Sequence, residues 1–406
     1  MNNLKLLLTL MIAHFATSLT SQSVNELIAL ALQHNPGLKA MQLEYQAALQ
    51  KKDQVTDYPD PSLSVGIGVL PIETRLGAQV LRFGVAQPIP WKGLLKGRSE
   101  VMKAQAEILS AKDELSAIDI AYAIRTTYTQ IVWLERRKDI IRQKLSLLQV
   151  LEDLSTASIR SGRGNLSDVL LVQRMKEMLE LDLMQLDNRK TAPMIILNRW
   201  TGRPLDSVVE VIDDTILPVE LEDYLNFAIN DHPQLQIIEN QINASKARSE
   251  LTVLESKPKI AVGLDYAIIN GRSGLTIANN GRDVLMPMGT VQIPLHTDRF
   301  ESRRQEEKLQ QEMLSARFKD VTELYQAEII KAKADIDYEQ DEIIKFEQLK
   351  LITRETIDLM RTEYASEGTR FEELLRLELE LIDYDDAILR SRYLQDLAAA
   401  TILKYQ

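Results

Sequence analysis

Hydrophobic and polar positions follow a helical pattern over most of the chain. From Arg98 to Ser161, from Leu295 to Glu367 and from Thr369 to Gln406, neither glycine nor proline interrupts the sequence. Because both residues break helices, these segments predict long helices, two of them about 100 Å long at a rise of ~1.5 Å per residue. In the last segment, apolar residues recur at heptad spacing and predict a coiled-coil seam: Leu374, Leu377, Leu381, Tyr384 and Ile388.

Four shorter segments have the pattern or composition of β-strands. In residues 62–70 and 259–268, large apolar residues alternate with small or polar ones, which predicts strands with one apolar face. The alternation is weaker in residues 80–89. Residues 284–293 have the composition of a strand without clean alternation. Prolines bound these segments, as expected at strand ends.

The four predicted strands form two hairpins. The first covers about residues 62–90, with a polar loop predicted from Pro71 to Ala78. The second covers about residues 259–294, with a glycine- and asparagine-rich loop from Asn270 to Asp283. Polar, flexible loops of this kind are typical of the extracellular side of membrane barrels.

The two halves of the chain repeat one pattern. Asn35-Pro36 corresponds to His232-Pro233 with an offset of 197 residues, which also relates Pro61 to Pro258. After the hairpins, an offset of 204 residues relates Pro90 to Pro294 and Gly164 to Gly368. We therefore predict a duplicated unit of helix, β-hairpin, very long helix, sharp turn and helix. The first copy is residues 22–218 and the second is residues 219–406.

The N-terminus and the missing cysteines bear on cellular location. Residues 1–21 contain a weakly basic start, a short apolar run and small residues, which predicts a secretory signal peptide; the alternative is an N-terminal helix of a cytosolic protein. The sequence contains no cysteine, so we expect no disulfide, no thiolate metal site and no lipid anchor.

Charge and hydropathy narrow the possible partners. A net charge of −11 argues against binding to nucleic acid. The acidic excess indicates either a solvated surface or an acidic lumen that prefers cations. After the first residues, no run of ~18 apolar residues occurs, so any insertion into a membrane is expected through β-strands in a barrel.

Four strands are too few to close a membrane barrel, because spanning barrels start at about eight strands. Several chains must therefore contribute, and three chains supply a 12-stranded β-barrel. The long helices then form a second cylinder with apolar seams between helices and polar faces toward the bore. This architecture predicts a conduit.

The duplicated helix–hairpin–helix plan resembles the TolC family of outer-membrane efflux proteins over nearly the whole mature chain, and four segments resemble motifs of that family. Residues 87–95 (QPIPWKGLL) are similar to the strand-to-helix junction of its heavy-metal branch, the CusC and CzcC relatives, although Lys92 replaces the usual second proline. Residues 162–170 (GRGNLSDVL) resemble the first helical tip, and residues 368–375 (GTRFEELL) follow the second more loosely. Residues 197–204 (LNRWTGRP) resemble the entry to the mid-tunnel belt.

The resemblance implies a mainly α-helical homotrimer with a membrane β-barrel and a periplasmic α-barrel. Its partners are then outer-membrane lipid, a periplasmic adaptor (membrane fusion protein) and an inner-membrane RND-type pump. It implies passive transport without covalent chemistry, so we expect no enzyme activity and no cofactor. The heavy-metal branch suggests metal cations as cargo.

The two helical tips, about residues 161–166 and 366–371, are the candidate sites. The resemblance implies that they contact the adaptor through Gly162, Arg163, Gly164, Gly368, Thr369 and Arg370. It also implies that this end constricts the bore, with Asp168, Glu372 and Glu373 as the candidates for the constriction. Three carboxylates follow the turns: Asp168, Glu372 and Glu373. In a trimer they are expected to form rings of negative charge in the lumen if they face it, or to be solvated acids that stabilise helix N-termini, and the two roles are compatible.

Neither catalysis nor metal binding has a convincing set of residues. No catalytic constellation or phosphate loop stands out, and none of the four histidines has ligand spacing with another. Met286 and Met288 lie on one face of a predicted strand, where apolar packing against lipid is favoured over binding of soft Cu(I).

The alternative to a channel is a non-conducting periplasmic coiled-coil adaptor or spacer. An adaptor requires globular β-domains around one helical hairpin. The short, duplicated amphipathic strands and the two helical hairpins favour the channel.

Overall fold

The computed structural model describes residues 23–162, 164–210, 231–274, 278–367 and 371–405. The predicted signal peptide lies outside these residues. The described helices are α1 (Val24–His34), α2 (Pro36–Gln54), α3 (Leu94–Arg160), α4 (Leu166–Thr201), α5 (Pro233–Glu255), α6 (Asp298–Glu367) and α7 (Phe371–Lys404). The described strands are β1 (Ser62–Thr74), β2 (Gly77–Ile89), β3 (Lys259–Asn270) and β4 (Val284–Gln292).

The chain divides into two compact units. The first contains the described parts of Met1–Lys39, Glu114–His232 and Thr322–Gln406. The second contains Ala40–Asp113 and the described parts of Pro233–Val321.

The first unit has its main core where α1 packs against α3 and α7. The buried side chains of this core include Leu27, Ile124, Tyr128, Leu197 and Ala399. Helix α1 begins in a capping box, in which the Ser23 hydroxyl accepts from the Glu26 amide and the Glu26 carboxylate accepts from the Ser23 amide. The cap satisfies backbone donors that the first helical turn leaves unpaired.

The second unit contains an antiparallel sheet with the strand order β1-β2-β3-β4. The predicted first loop, Pro71 to Ala78, is wrong, because β1 continues to Thr74 and β2 begins at Gly77, leaving a tight turn at Arg75 and Leu76. Pro71 lies in a register shift between Ile67 and Ile72, where the strand ladder is interrupted. A residue without an amide hydrogen is tolerated at such a bulge.

Helices α5 and α6 of the second unit are joined by buried polar contacts. Arg248 donates from Nε and Nη2 to the two carboxylate oxygens of Glu307, at 2.7 and 3.0 Å. Burial alone would raise the pKa of Glu307, but its bonds to Arg248 and Ser245 outweigh burial and lower that pKa. Glu307 therefore stays ionised, and its bidentate pair sets the register of α5 against α6.

The residues before Pro36 and Pro233 make equivalent contacts in the first unit. Asn35 donates from Nδ2 to the carbonyl oxygen of Trp200 at 3.0 Å, near the end of α4. His232 donates from Nε2 to the carbonyl oxygen of Lys404 at 3.1 Å, at the end of α7. Trp200 and Lys404 are related by the same offset of 204 residues as the landmarks that follow the hairpins.

His232 makes stability depend on pH. It is buried, with an edge-on contact to Tyr325, and burial lowers its pKa below the ordinary value of 6.5, an effect only partly offset by its hydrogen bond to Lys404. The unfolded chain therefore binds the proton more readily, so stability is lost as the pH falls below that value. We expect the apparent melting temperature to fall on acidification and His232→Asn, which copies Asn35, to reduce this dependence.

Circular dichroism melts between pH 5 and 7.5 measure this dependence. The control is His34→Asn, which changes an exposed histidine and leaves the wild-type slope. Equal slopes for wild type and His232→Asn contradict the prediction.

Candidate functional site

The sheet has one apolar face that is largely exposed in the single chain. The strand registers align Val65, Phe83, Tyr266 and Leu285 in one row across all four strands. Other exposed apolar residues of the same face are Leu63, Ile67, Val85, Ile260, Val262, Leu264 and Val291. Exposed apolar surface of this extent marks contact with another protein or with lipid.

The opposite face of the sheet is small and polar. Asp265 is buried on this face and forms an ion pair with Arg82 of the neighbouring strand. A Cβ atom at Gly84 would lie 2.4 Å from Oδ1 of Asp265 and 2.6 Å from Oγ of Ser64. Glycine at this position therefore lets the Asp265 carboxylate lie across the sheet toward Arg82.

Met286 and Met288 belong to the polar face. Met286 is opposite Asp265 and Met288 is opposite Gly263 in the β3–β4 register. The sulfur of Met288 lies 3.8 Å from Nη2 of Arg82. The prediction that these residues pack with the apolar face is wrong, because in β4 both faces mix apolar and small residues and the period of two is hidden.

Both outer strands of the sheet have an open edge within the described residues. β1 pairs only with β2, and β4 pairs only with β3. An open edge presents unpaired amide and carbonyl groups, which a further strand can satisfy. The sheet can therefore be extended on both sides by strands of other chains.

The first helical tip is a tight turn between α3 and α4. Gly162 has φ 73°, a left-handed conformation that glycine adopts without strain. The amide of Gly164 donates to the carbonyl of Ser158 at 3.0 Å, and Oδ1 of Asn165 accepts from the amide of Ser167 at 3.2 Å. These bonds end α3 and begin α4 within a few residues. Arg163 lies outside the described residues.

The second tip begins α7 beside the first. Gly368, Thr369 and Arg370 lie outside the described residues. Phe371 and Leu375 of α7 pack with residues of α3 and α4 in one buried cluster: Leu148, Leu151 and Val172. The predicted seam residues Leu374 and Leu377 pack against Ile357 and Met360 of α6. The starts of α4 and α7 thus lie at the same end of the helices in the first unit.

The three predicted carboxylates lie in the first turns of these helices. Asp168 is half-buried and follows the N-cap Asn165, whereas Glu372 and Glu373 are exposed beside the buried Phe371 and Leu374. Carboxylates in a first turn stabilise a helix through its dipole. The exposure of Glu372 and Glu373 also leaves them free to face solvent or a bore.

Glu378 is a buried charge that the sequence pattern alone does not predict. It lies one turn beyond Leu374 on the seam side of α7, and Arg361 of α6 donates to its Oε1 from Nε at 2.9 Å and also from Nη2. Its position four residues after Leu374 indicates that it lies on the same, buried face of the helix, because residues at that spacing share a helix face.

A group of ion pairs joins α3 and α4 near the C-terminal half of α4. Lys138 donates to Asp187 at 2.5 Å and lies near Glu135, which pairs with Lys190 at 2.5 Å. The hydrogen bond to Asp187 is the main cause that raises the pKa of Lys138. Burial alone would raise the pKa of Glu135, but Lys190 and Lys138 outweigh it and lower that pKa.

Within the described ranges, no cluster of three or more His, Cys, Asp or Glu side chains is arranged to hold a metal ion.

None of the described helices combines the length and apolar character needed to cross a membrane.

No protein-family model matches the sequence, and no curated protein matches it. Solved structures do match the fold. OprN, an outer-membrane channel, aligns with a TM-score of 0.74 and 17% identity, over 94% of this chain and 89% of OprN. This chain has the fold of solved outer-membrane channels.

Two further structures extend the comparison. CusC, whose crystal structures show conformational changes that accompany folding and transmembrane channel formation, aligns with a TM-score of 0.74 and 16% identity, over 95% of this chain and 92% of CusC. The outer-membrane protein VceC of Vibrio cholerae aligns with a TM-score of 0.71 and 16% identity, over 94% of this chain and 96% of VceC. OprN and CusC align equally well, so the fold comparison does not favour one of these two proteins over the other.

Proposed function

We propose that this chain is one protomer of a trimeric outer-membrane efflux channel that conducts small solutes passively. The observation that carries the proposal is the four-stranded sheet with one exposed apolar face, one polar face and two open edges. Three such sheets joined edge to edge give a 12-stranded barrel with lipid outside and polar groups inside. The shared fold with solved channels supports it. The proposed role involves no covalent chemistry.

The long helices form the periplasmic part of the proposed channel. Residues 1–21 serve as a signal peptide, and residues 22–218 and 219–406 are two repeats whose long helices together form one third of an α-barrel. The tips, with Gly162, Arg163, Gly164, Gly368, Thr369 and Arg370, contact a periplasmic adaptor that is bound to an inner-membrane pump. The pump supplies the energy, because a passive conduit has no energy source of its own.

Heavy-metal cations are the proposed cargo. Support comes from the resemblance of residues 87–95 and 162–170 to the metal-efflux branch, which is an argument by analogy. Co-purification of the partner pump tests it. A pump for organic drugs contradicts the cargo and leaves the channel intact.

Cross-linking between the open edges tests the trimer. We expect pairs of cysteines on the polar face of β1 and β4, such as Ser64→Cys with Met288→Cys, to give dimers and trimers on oxidation in membranes, because facing residues of adjacent strands lie about 4.5–5.5 Å apart. Neighbouring positions are scanned to find the register. The chain has no cysteine of its own, so the background is low. A chain that remains monomeric at every β1–β4 pair contradicts the proposal.

Charge at the tips is proposed to attract cations. We expect Glu372→Gln with Glu373→Gln to lower the single-channel conductance for cations in a planar bilayer, because each carboxylate repeats three times around the bore. Asp57→Asn with Asp60→Asn removes the same charge from exposed positions between α2 and β1 and should leave conductance unchanged. Equal cation conductance of the two variants contradicts the proposal that Glu372 and Glu373 form an acidic ring in the bore.

Extraction from membranes distinguishes the proposed channel from a spacer without a bore. A salt wash should release a spacer, which requires no exposed apolar sheet face, whereas the channel requires detergent.

A further inference from the structure

A cavity lies at the end of the sheet in the second unit, where strands give way to helices. Its volume is about 400 Å³. Strand ends and helix starts line it together, among them Ile89, Trp91, Arg98, Lys257, Lys259 and Arg299. Nothing in the channel function described above uses this cavity.

The cavity is strongly basic although the chain as a whole is acidic. Five cationic side chains line it, against the single carboxylate of Glu255, and the sequence has a net charge of −11. Glu255 is paired with Arg303 at 3.4 Å, and the guanidinium of Arg299 lies 4.6 Å from the ring centre of Phe300. Among the described ion pairs, none engages Arg98, Lys257 or Lys259. The cavity therefore has an excess of positive charge that an anion can neutralise.

The exposed apolar face of the sheet ends at the same cavity. Ile89 and Ile260 are opposite each other in the β2–β3 register, lie on the apolar face and line the cavity. Both are more than one third exposed, and Trp91 is 40% exposed beside them. Tryptophan and long basic side chains at the end of an apolar band are typical of the boundary between hydrocarbon and headgroups.

We infer that this cavity binds the phosphodiester headgroup of a glycerophospholipid, with an acyl chain against Ile89 and Ile260. Basic pockets at the ends of membrane segments bind anionic headgroups in this way. The inference rests on the proposed insertion of the sheet into a membrane. Each of three protomers then carries one lipid at the periplasmic boundary of the barrel.

Native mass spectrometry of the full chain in detergent tests the inference, with phosphatidylglycerol as the probe. We expect Lys257→Gln with Lys259→Gln to weaken binding of this lipid by about tenfold or more. Each basic residue near an anionic headgroup raises the affinity by about fivefold, and the variant removes two of them. Lys92→Gln with Lys96→Gln is the matched control, because it removes the same charge from exposed positions nearby that do not line the cavity. The control is expected to bind like the wild type.

Two further probes separate the lipid from its parts. Diacylglycerol, which lacks the phosphate, is expected to bind at least tenfold more weakly, and inorganic phosphate is expected not to displace phosphatidylglycerol. Equal lipid binding by wild type and both variants overturns the inference. Displacement by inorganic phosphate at equal concentration also overturns it, because the site then holds a free anion.

Planar-bilayer conductance of the same preparations separates this inference from the proposed function. A conducting protein that shows no preference for phosphatidylglycerol over diacylglycerol overturns the lipid site alone. A protein that inserts into no bilayer overturns the channel and the lipid site together.

Discussion

Val65→Arg is expected to abolish most folding into membranes, whereas Ser64→Arg is expected to be tolerated. Val65 is on the exposed apolar face and Ser64, one residue earlier, is on the polar face. An arginine facing lipid near the bilayer midplane costs about 2–4 kcal/mol, and a trimer carries this cost three times. On the polar face, a long cationic side chain can reach water in the bore.

Refolding into lipid vesicles measures this effect. The folded fraction is read from protease resistance and from gel mobility before heating, for wild type and both variants. The two variants differ by one position and carry the same new charge, so each serves as the control of the other. Equal folded fractions contradict the assignment of the apolar face to lipid.

Tyr128→Ala is expected to lower the free energy of unfolding by about 3–5 kcal/mol, the range found when large core side chains are truncated. Tyr128 is completely buried in the core where α1 packs on α3 and α7. Its removal leaves a cavity that the surrounding long helices cannot fill without shifting along their whole contact.

Tyr338→Ala is the control, because it makes the same substitution at a tyrosine of α6 that is 61% exposed. Its hydroxyl donates to Glu342 one turn along the same helix, so we expect a change within about 0.5 kcal/mol, as for other surface substitutions. Chemical denaturation in detergent gives both values. A loss at Tyr128 no larger than that at Tyr338 contradicts the assigned core.

The long helices and strands could be predicted because their signals are local. Glycine and proline mark the ends of α3, α6 and α7 to within a few residues, and the period of two identifies β1 and β3. The heptad spacing also predicts the buried side of α7, where Leu374 and Leu377 are buried. These features depend on neighbours along the chain, so the sequence contains them.

The first hairpin turn could not be predicted in the same way. Proline normally ends a strand, so Pro71 suggested a loop. In the structure Pro71 lies in a bulge of an outer strand, where the missing amide hydrogen costs no ladder bond. Whether a proline ends a strand or sits in a bulge depends on the partner strand.

The faces of β4 and the role of Glu378 depend on contacts far apart in sequence. Met286 is assigned to the polar face only through its register with Asp265 on β3. Glu378 is buried, and its charge is paired by Arg361 of α6. The meeting of Val172 and Phe371 at one end of the helices likewise requires the packed structure.

The central seam of the sheet constrains the order of folding. β1–β2 and β3–β4 are hairpins of strands that are near each other in sequence, but the contact between Arg82 and Asp265 across β2–β3 joins residues 183 positions apart. Closing so long a loop costs chain entropy and slows formation of the contact. Until α3, α4 and α5 bring the hairpins together, each hairpin has its apolar face and its edges open to association with other chains. We therefore expect the pairing of β2 with β3 to form late in folding. Refolding at low protein concentration should then raise the yield of folded protein.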